Sequence, residues 1–147
     1  MKRHPTLIPL SHEHRRILFF CQMIKRAPTS FKDAPVTTPD KLLYARGFVP
    51  DLYTHFDMEE RVLAPTVRGI DAELDQLLDE VLAEHAMIRE RIDDLHTLAQ
   101  ETQQAAALDH LGHMIEAHVR KEERALFQQL QAVVREEVLA DLQMRLQ

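Results

Sequence analysis

The chain has 147 residues, a formal charge of −6 at pH 7 and three glycines, so it is long enough for one domain with a substantial core. Leu, Ala, Glu, Arg and Gln are frequent and Trp is absent, a composition that favours helices over a β-sandwich or barrel. A net negative charge does not favour binding to nucleic acid or to an anionic membrane. No apolar run is long enough to span a bilayer.

The N-terminal segment and the cysteine content lead us to expect a cytoplasmic protein. Residues 1–10 are basic but contain Pro5 and Pro9 and no apolar run, so we expect no secretory signal. Cys21 is the single cysteine, which excludes an intrachain disulfide and suits a reducing compartment. We therefore expect one cytoplasmic domain over residues 1–147.

The first predicted helix covers about residues 11–26, with Ser11 as its N-cap and Pro28 beyond its end. His14 lies in its apolar stripe, whereas His12 lies roughly 200° around the helix and faces elsewhere. A polar, Pro-rich loop over residues 27–39 follows. The stripe, spaced by three and four residues, consists of Leu10, His14, Ile17, Leu18, Cys21 and Ile24.

The second predicted helix covers about residues 40–64. Thr38 and Pro39 form a suitable N-cap and first position. A bend is expected near Gly47 and Pro50, because proline removes a backbone donor. The side chains predicted to face inward are Leu52, His55, Phe56, Glu59 and Leu63.

Three further helices follow, and the third helix has the clearest amphipathic pattern of the chain. We expect the third helix over about residues 71–101, a turn over residues 102–105 and a fourth helix over about residues 105–130. A short amphipathic helix over about 132–146 should pack against the others. The third helix places inward Leu74, Leu78, Val81, His85, Ile88, Ile92 and Leu95, the fourth Leu111, Ile115, His118, Glu122 and Leu126, and the last Val134, Val138, Leu139, Leu142 and Leu146.

Long helices with short connections predict an all-α fold, an antiparallel up-down-up-down four-helix bundle with a short C-terminal helix. The bundle should occupy about residues 10–130. The number of residues from each inward histidine to the nearest turn is similar. All four histidines should therefore lie at a similar position along the bundle axis, within about two helical turns. The four inward stripes should therefore converge.

An eleven-residue phrase occurs twice, over residues 55–65 and 118–128. Each copy holds His first, Glu four and five residues later, Arg at six and Leu at eight. On an α-helix, residues four apart lie on one face. The phrase therefore pairs His55 with Glu59 and His118 with Glu122.

Six inward residues form the candidate metal site: His14, His55, Glu59, His85, His118 and Glu122. A single inward histidine is more often an ordinary core residue than a ligand, and a single His-Glu helix pair is usually a surface hydrogen bond. Burying all six without a cation would leave desolvated polar groups and clustered negative charge. Six ligands divide between two metals, with two histidines each and both glutamates able to bridge. This ligand set favours iron, and manganese or zinc also fits.

On this ordered set of six residues, the chain resembles the hemerythrin-like family, the HHE cation-binding domains, over essentially its whole length. The resemblance implies a non-haem di-iron centre, two irons per chain, with bridging carboxylates and an oxo or hydroxo bridge. Family activities include reversible O2 binding, redox or iron sensing, nitric-oxide response and repair of iron–sulfur clusters. The N-terminal cysteine region of the family's repair proteins is absent from this sequence.

One position departs from the respiratory members, which carry a fifth histidine one turn after the third-helix histidine. Here that position is Arg89, which argues against the respiratory geometry. The missing imidazole leaves one metal less saturated, or lets water or another carboxylate take its place. We therefore expect a protein that binds or senses O2, NO or peroxide, or that handles iron, and that signals through a separate partner. The alternative is a di-iron enzyme, either peroxide-consuming or of the iron–sulfur repair type.

The other polar residues near the candidate site receive lesser roles. His96, His110 and His113 lie out of reach of the six, and Cys21 is best interpreted as a small buried hydrophobe. The second Glu and the Arg of each phrase are predicted to face outward, either solvated or hydrogen-bonded to the ligands. These residues are Glu60, Arg61, Glu123 and Arg124.

Overall fold

A computed structural model describes residues 2–26 and 32–147, and within these ranges it contains helices and turns but no strand. Four long helices and a short C-terminal one confirm the predicted all-α bundle. Helix α1 spans Ile8–Ile24 and α3 spans Ala72–Leu95. Helix α2 runs from Thr38–Met58 through a π-helical turn, Glu59–Leu63, into Ala64–Val67. Helix α4 likewise runs from Glu101–Lys121 through Glu122–Leu126 into Phe127–Val133, and α5 spans Glu136–Arg145.

Helix α1 begins three residues before the predicted position. Leu7 is its N-cap, and Pro9 lies in the first turn, where a missing N–H breaks no helical hydrogen bond. The prediction of Ser11 as the cap was therefore wrong, and its hydroxyl donates instead to Oε2 of Glu123 on α4, 3.0 Å away. The helix ends at Ile24, before the predicted residue 26. Pro28 and the first part of the predicted loop, residues 27–31, lie outside the described residues.

The starts of α2 and α3 have side-chain caps. Thr37, one residue before the predicted Thr38, accepts a hydrogen bond from the backbone N–H of Asp40 at 3.2 Å. Asp71 accepts one from the N–H of Leu74 at 3.0 Å. Pro50 lies inside α2 without interrupting it.

The turn between α3 and α4 lies earlier than predicted. Helix α3 ends at Leu95, and α4 begins at Glu101, so residues 102–105 are helical and their prediction as a turn was wrong. The backbone of residues 96–98 closes the end of α3 through hydrogen bonds to Asp93, Asp94 and Leu95. Neither glycine nor proline marks this turn in the sequence, and the amphipathic pattern alone did not show where α3 stops.

The buried His/Glu cluster, the six residues named above as the candidate metal site, divides the apolar core into two parts. One part lies toward α5 and contains Leu7, Leu10, Leu63, Ala64, Val67, Leu74, Leu78, Val81, Leu126, Phe127, Leu130, Val134, Leu139 and Leu142. The other lies toward the opposite end and contains Ile17, Phe20, Cys21, Ile24, Ala45, Leu52, Phe56, Ile88, Ile92, Leu95, Leu108, Leu111, Ile115 and Val119. The apolar parts hold the helices together on both sides of a polar layer.

Close contacts fix α1 against α4 and α5 against the bundle. A Cβ atom at Gly112 of α4 would lie 2.9 Å from Cγ of Lys25 and 3.2 Å from the carbonyl oxygen of Cys21, so glycine permits this approach. The hydroxyl of Thr6 donates to the carbonyl of Leu139 at 3.0 Å. Leu139 and Leu142 of α5 are buried, as the amphipathic pattern predicted.

None of the helices in the described residues combines the length and the apolar character needed to cross a bilayer.

Candidate metal centre

Each copy of the repeated phrase contains an irregular helical turn that begins at its first glutamate. The backbone N–H of Ala64 donates to the carbonyl of Glu59, and that of Phe127 donates to Glu122. These bonds span five residues, as in a π-helix, a feature that is frequent at functional sites. The sequence analysis missed both turns, although the shared Glu-Glu-Arg-x-Leu segment was visible. His55 and His118 lie before the turns, so their four-residue spacing to glutamate remains α-helical.

All six predicted residues meet in the middle of the bundle, and each is at most 3% exposed. They form two groups whose nitrogen and oxygen atoms lie within 4.8 Å of one another. The histidine ring centroids are 4.8 Å apart within each group. One group contains His14, His55, Glu59 and Glu122, and the other contains His85, His118, Glu59 and Glu122. The two glutamates belong to both groups, as the predicted bridging role requires.

The cluster lacks internal hydrogen-bond partners for the atoms that face its centre. Glu59 and Glu122 have both carboxylate oxygens unpartnered, and each of the four histidines has its Nε2 unpartnered. Even where His118 Nε2 lies 2.7 Å from Glu122 Oε1, the geometry is not that of a hydrogen bond. Such atoms are costly to bury in an apolar core. A cation held among them would satisfy them together, so the residues present fit a metal centre.

The electrostatics of the cluster are those of crowded carboxylates and imidazoles. Burial, and next the nearby carboxylate of Glu122, raise the pKa of Glu59. Burial opposes the charged form of His55, but Glu59 and Glu13 outweigh it and raise its pKa to about 9. The pKa of His118 rises to about 10, because Glu122 and Glu84 outweigh burial in the same way. Without a metal, protons on these imidazoles therefore balance the carboxylates.

A second set of four carboxylates surrounds the histidines on their outer side. Nδ1 of His55 lies 3.1 Å from Glu13, Nδ1 of His85 lies 2.8 Å from Glu60, and Nδ1 of His118 lies 2.7 Å from Glu84. Nδ1 of His14 has a longer contact, 3.5 Å, with Glu123. An Nδ1–H that donates outward leaves Nε2 free to bind a metal.

These outer contacts run around the bundle in one direction. Glu13 of α1 contacts α2, Glu60 of α2 contacts α3, Glu84 of α3 contacts α4, and Glu123 of α4 contacts α1. Each long helix thus supplies one histidine to the cluster and one carboxylate to the histidine of the next helix. We call Glu13, Glu60, Glu84 and Glu123 the outer carboxylates.

The sequence analysis found only part of this outer set. For Glu60, the predicted alternative of a hydrogen bond to a ligand is correct, because it accepts from His85. Glu123 accepts instead from Ser11 and has only a 3.5 Å contact with His14. Arg61 and Arg124 are exposed, as predicted. Glu13 and Glu84 were missed, although each directly precedes a cluster histidine in the sequence.

Arg89 lies one helical turn after His85, and its guanidinium points away from the cluster. Nη1 lies 2.6 Å from Glu60 and Nη2 lies 3.4 Å from Asp57. The guanidinium carbon lies over the rings of Tyr53 and Phe56, at 5.4 and 5.3 Å from their centroids. Arg89 therefore contacts an outer carboxylate and does not enter the cluster.

Aromatic rings support one histidine of each group. Phe56 stacks on His85 with ring centroids 4.0 Å apart, and Phe127 stacks on His14 at 5.4 Å. Phe56 was predicted from the sequence as an inward side chain, and the role of Phe127 was not predicted.

The remaining histidines and the cysteine do not join the cluster. His96, His110 and His113 are exposed. Cys21 is fully buried, and burial raises the pKa of its thiol to about 12, which keeps it a neutral, unreactive group.

Comparison with protein families gives one match that covers most of the chain. Residues 9–130 match the model described as hemerythrin HHE cation binding domain. Comparison with curated proteins and with solved structures gives no match. The matched segment includes all six residues of the buried His/Glu cluster, and family and cluster together point to metal binding. The chain belongs to the hemerythrin HHE cation-binding domain family.

Proposed function

We propose that this protein holds a non-haem di-iron centre in its buried His/Glu cluster and binds or senses a small ligand there. The ligand class is O2, NO or peroxide. One observation carries the proposal: the unpartnered buried atoms of six side chains fall into two groups that share Glu59 and Glu122. Paired metal sites built from inward Glu and His are an established use of helix bundles.

The proposed ligands divide evenly between the two irons. His14 and His55 would bind one iron, His85 and His118 the other, and Glu59 and Glu122 both. When bound, the iron pair would supply a redox-active centre with affinity for small oxygen and nitrogen ligands. Two histidines with carboxylate oxygens resemble the donor set of non-haem iron sites that keep open positions. Manganese and zinc accept the same donors, so the choice of iron rests on the family and on this chemistry.

The chain's own residues prepare the site for such a ligand. The outer carboxylates fix the imidazoles so that each Nε2 faces the centre. Phe56 and Phe127 stack on two of the rings, and the apolar core on both sides excludes bulk water. Arg89 is held by Glu60 outside the cluster, so its guanidinium would not compete with a small molecule for a position on the metals.

Metal analysis after anaerobic purification tests the proposal directly. We expect about two irons per chain, and a visible absorption change when the reduced protein meets O2 or NO. Reversal on removing O2 supports binding or sensing, whereas repeated consumption of peroxide with a reductant moves the assignment to an enzyme. A well-folded chain that takes up no iron contradicts the proposal. A variant with both His55→Ala and His118→Ala provides the control without a centre.

A further inference from the structure

A cavity of about 270 Å³ lies between α3 and α4 beside one histidine of the cluster. Its apolar wall consists of Met87, Ile88, Met114 and Ala117. Its polar members are Glu84, His118 and Lys121. His118 therefore belongs both to the wall of this α3–α4 cavity and to the buried His/Glu cluster.

The internal repeat of the chain supplies a matched position for comparison. Aligning His14 with His85 and His55 with His118 pairs Arg16 with Met87 and Asp51 with Met114. Arg16 and Asp51 form an ion pair with Nη2 and Oδ2 3.0 Å apart. In the first half, an ion pair between α1 and α2 therefore occupies the positions that correspond to Met87 and Met114. In the second half, these two methionines line the cavity between α3 and α4.

We propose that the α3–α4 cavity binds a small uncharged, apolar molecule and admits it to the metal centre on the His85 and His118 side. An enclosed apolar cavity of about 150 Å³ is enough to hold benzene or xenon. This one is larger, and it opens to solvent beside Met87, which is 50% exposed. It falls below the size of most sites for drug-sized ligands, which start at about 300 Å³. Methionine side chains are flexible and polarisable, so they can move aside for a small apolar molecule.

The charges at the cavity favour an uncharged ligand. Lys121 Nζ lies 3.0 Å from Glu84 and 2.9 Å from Glu80, so two carboxylates already offset its positive charge. Glu84 in turn accepts from His118 Nδ1. No cation in this wall is left to attract an anion, and the thioether and aliphatic groups provide the binding surface.

Arg89 and the cavity lie on different faces of α3. Arg89 contacts Asp57 and Glu60 of α2, whereas the cavity lies between α3 and α4. His85 and His118 form the metal group nearest to both features. A molecule that enters beside His118 reaches the His85 and His118 group of the cluster first. Access to the metals rests on the proposed function, whereas occupancy of the cavity does not.

Xenon is the direct probe of occupancy, because it is uncharged and needs no metal. We expect a xenon peak in the α3–α4 cavity when crystals of the metal-loaded protein are pressurised with the gas, and none between the paired side chains of Arg16 and Asp51. The separate pocket of about 360 Å³ lined by Arg16, Tyr44 and Phe48 lies outside this comparison. A cavity that stays free of xenon overturns the proposal. If xenon occupies the cavity but the protein binds neither O2 nor NO, the cavity is supported as a binding site. In that case only the proposed function is refuted.

Filling the cavity tests access to the metals. Ala117→Phe places a large ring in the cavity wall, and Thr54→Phe at the matched position of α2 is the control. Both residues are exposed, so we expect both variants to fold. Ala117→Phe should remove the xenon peak and slow NO binding to the reduced iron protein about tenfold or more, while Thr54→Phe changes the rate less than about twofold. Equal rates for Ala117→Phe and the wild type overturn the access step.

Discussion

The two halves of this molecule, α1 with α2 and α3 with α4, match inside the bundle and differ on its surface. Each half contributes two histidines and one shared glutamate to the cluster, and each contains a π-helical turn. Outside the cluster, Leu18 of one half corresponds to Arg89 of the other, and Arg16 corresponds to Met87. Metal binding would constrain the inner residues equally in both halves, whereas the residues around the cluster are free to differ between the halves.

The outer carboxylates also differ in whether a Lys or Arg side chain lies beside them. Glu60, Glu84 and Glu123 each have a cation close by: Arg89 at 2.6 Å, Lys121 at 3.0 Å and Arg3 at 3.0 Å. Among the described residues, Glu13 has an ion-pair contact with His55 alone. The first half therefore keeps one outer carboxylate whose charge is directed mainly at a ligand histidine.

Removing the shared carboxylates should have the largest effect, because both halves lose donors at once. With Glu59→Ala and Glu122→Ala together, we expect iron content to fall from about two per chain to near zero. Both residues are buried and their oxygens are unpartnered, so folding without metal should survive. Elemental analysis and circular dichroism measure the two outcomes. Full iron content in the double variant would falsify the assignment of these ligands.

Single histidine variants should separate the halves. His55→Ala removes a donor from one group and His118→Ala from the other, so each should lose about one metal and keep the other. Metal content and the visible spectrum of each loaded variant provide the measurement. His113→Ala, at an exposed position, is the control that should keep full content. Loss of both metals from either single variant would show that the halves bind cooperatively and not separately.

The sequence predicted contacts within one helix better than contacts between helices. Helical spacing placed His55 with Glu59 and His118 with Glu122, because these contacts lie within one helix turn. It also placed His14 and His85 inward, because their neighbours on the stripe are apolar. Local periodicity was therefore sufficient for the buried His/Glu cluster, and the family resemblance agreed with it.

What the sequence did not predict depends on contacts between helices. Glu13 and Glu84 meet histidines of the next helix, and this requires helix rotations that one sequence does not specify. The start of α1 was misplaced because Leu7 caps it without a side-chain hydrogen bond. The π-helical turns depend on backbone adjustments for which residue spacing carries no signal.

Neutralising one outer carboxylate should weaken one half without emptying it. Glu13→Gln and Glu84→Gln each remove the charge that holds Nδ1 of His55 or His118. Loss of such a partner typically lowers metal affinity about 10–100-fold. Competition with a coloured chelator measures the affinity of each site, and Glu80→Gln, which touches Lys121 but no ligand, is the matched control. Unchanged affinity in both variants would mean that the outer carboxylates do not support the ligands.

Metal binding should release protons and weaken in acid. The raised pKa values of His55, about 9, and His118, about 10, mean that both imidazoles carry protons at neutral pH in the metal-free protein. Metal must displace those protons, so affinity should rise between about pH 6 and pH 8. Calorimetry in buffers of different ionisation enthalpy counts the protons, and release of none contradicts the assignment.

The same pKa shifts make the stability of the metal-free protein depend on pH. The pKa of His55 in the folded protein lies above its ordinary value of 6.5, so the protonated ring stabilises the fold. This stabilisation is complete below about pH 6.5. This stabilisation is lost as pH rises through about 9 and 10. The melting temperature of the metal-free protein should therefore fall from pH 7 to pH 10, and metal-loaded protein should fall less. An increase over that range in the metal-free protein would contradict the shifts.

Converting Arg89 to the residue of the matched position should have the smallest effect. Arg89→Leu copies Leu18 of the first half and removes the contacts to Glu60 and Asp57. Partly exposed ion pairs contribute about 0–1 kcal/mol, so the melting temperature should change by no more than about 2–4 °C. Iron content and the rate of NO binding should stay close to wild type, because the guanidinium lies outside the cluster. Faster NO binding or a new ligand band in Arg89→Leu would show that Arg89 restricts the position beside His85. Unchanged kinetics would show that Arg89 does not limit access to the His85 and His118 side of the cluster.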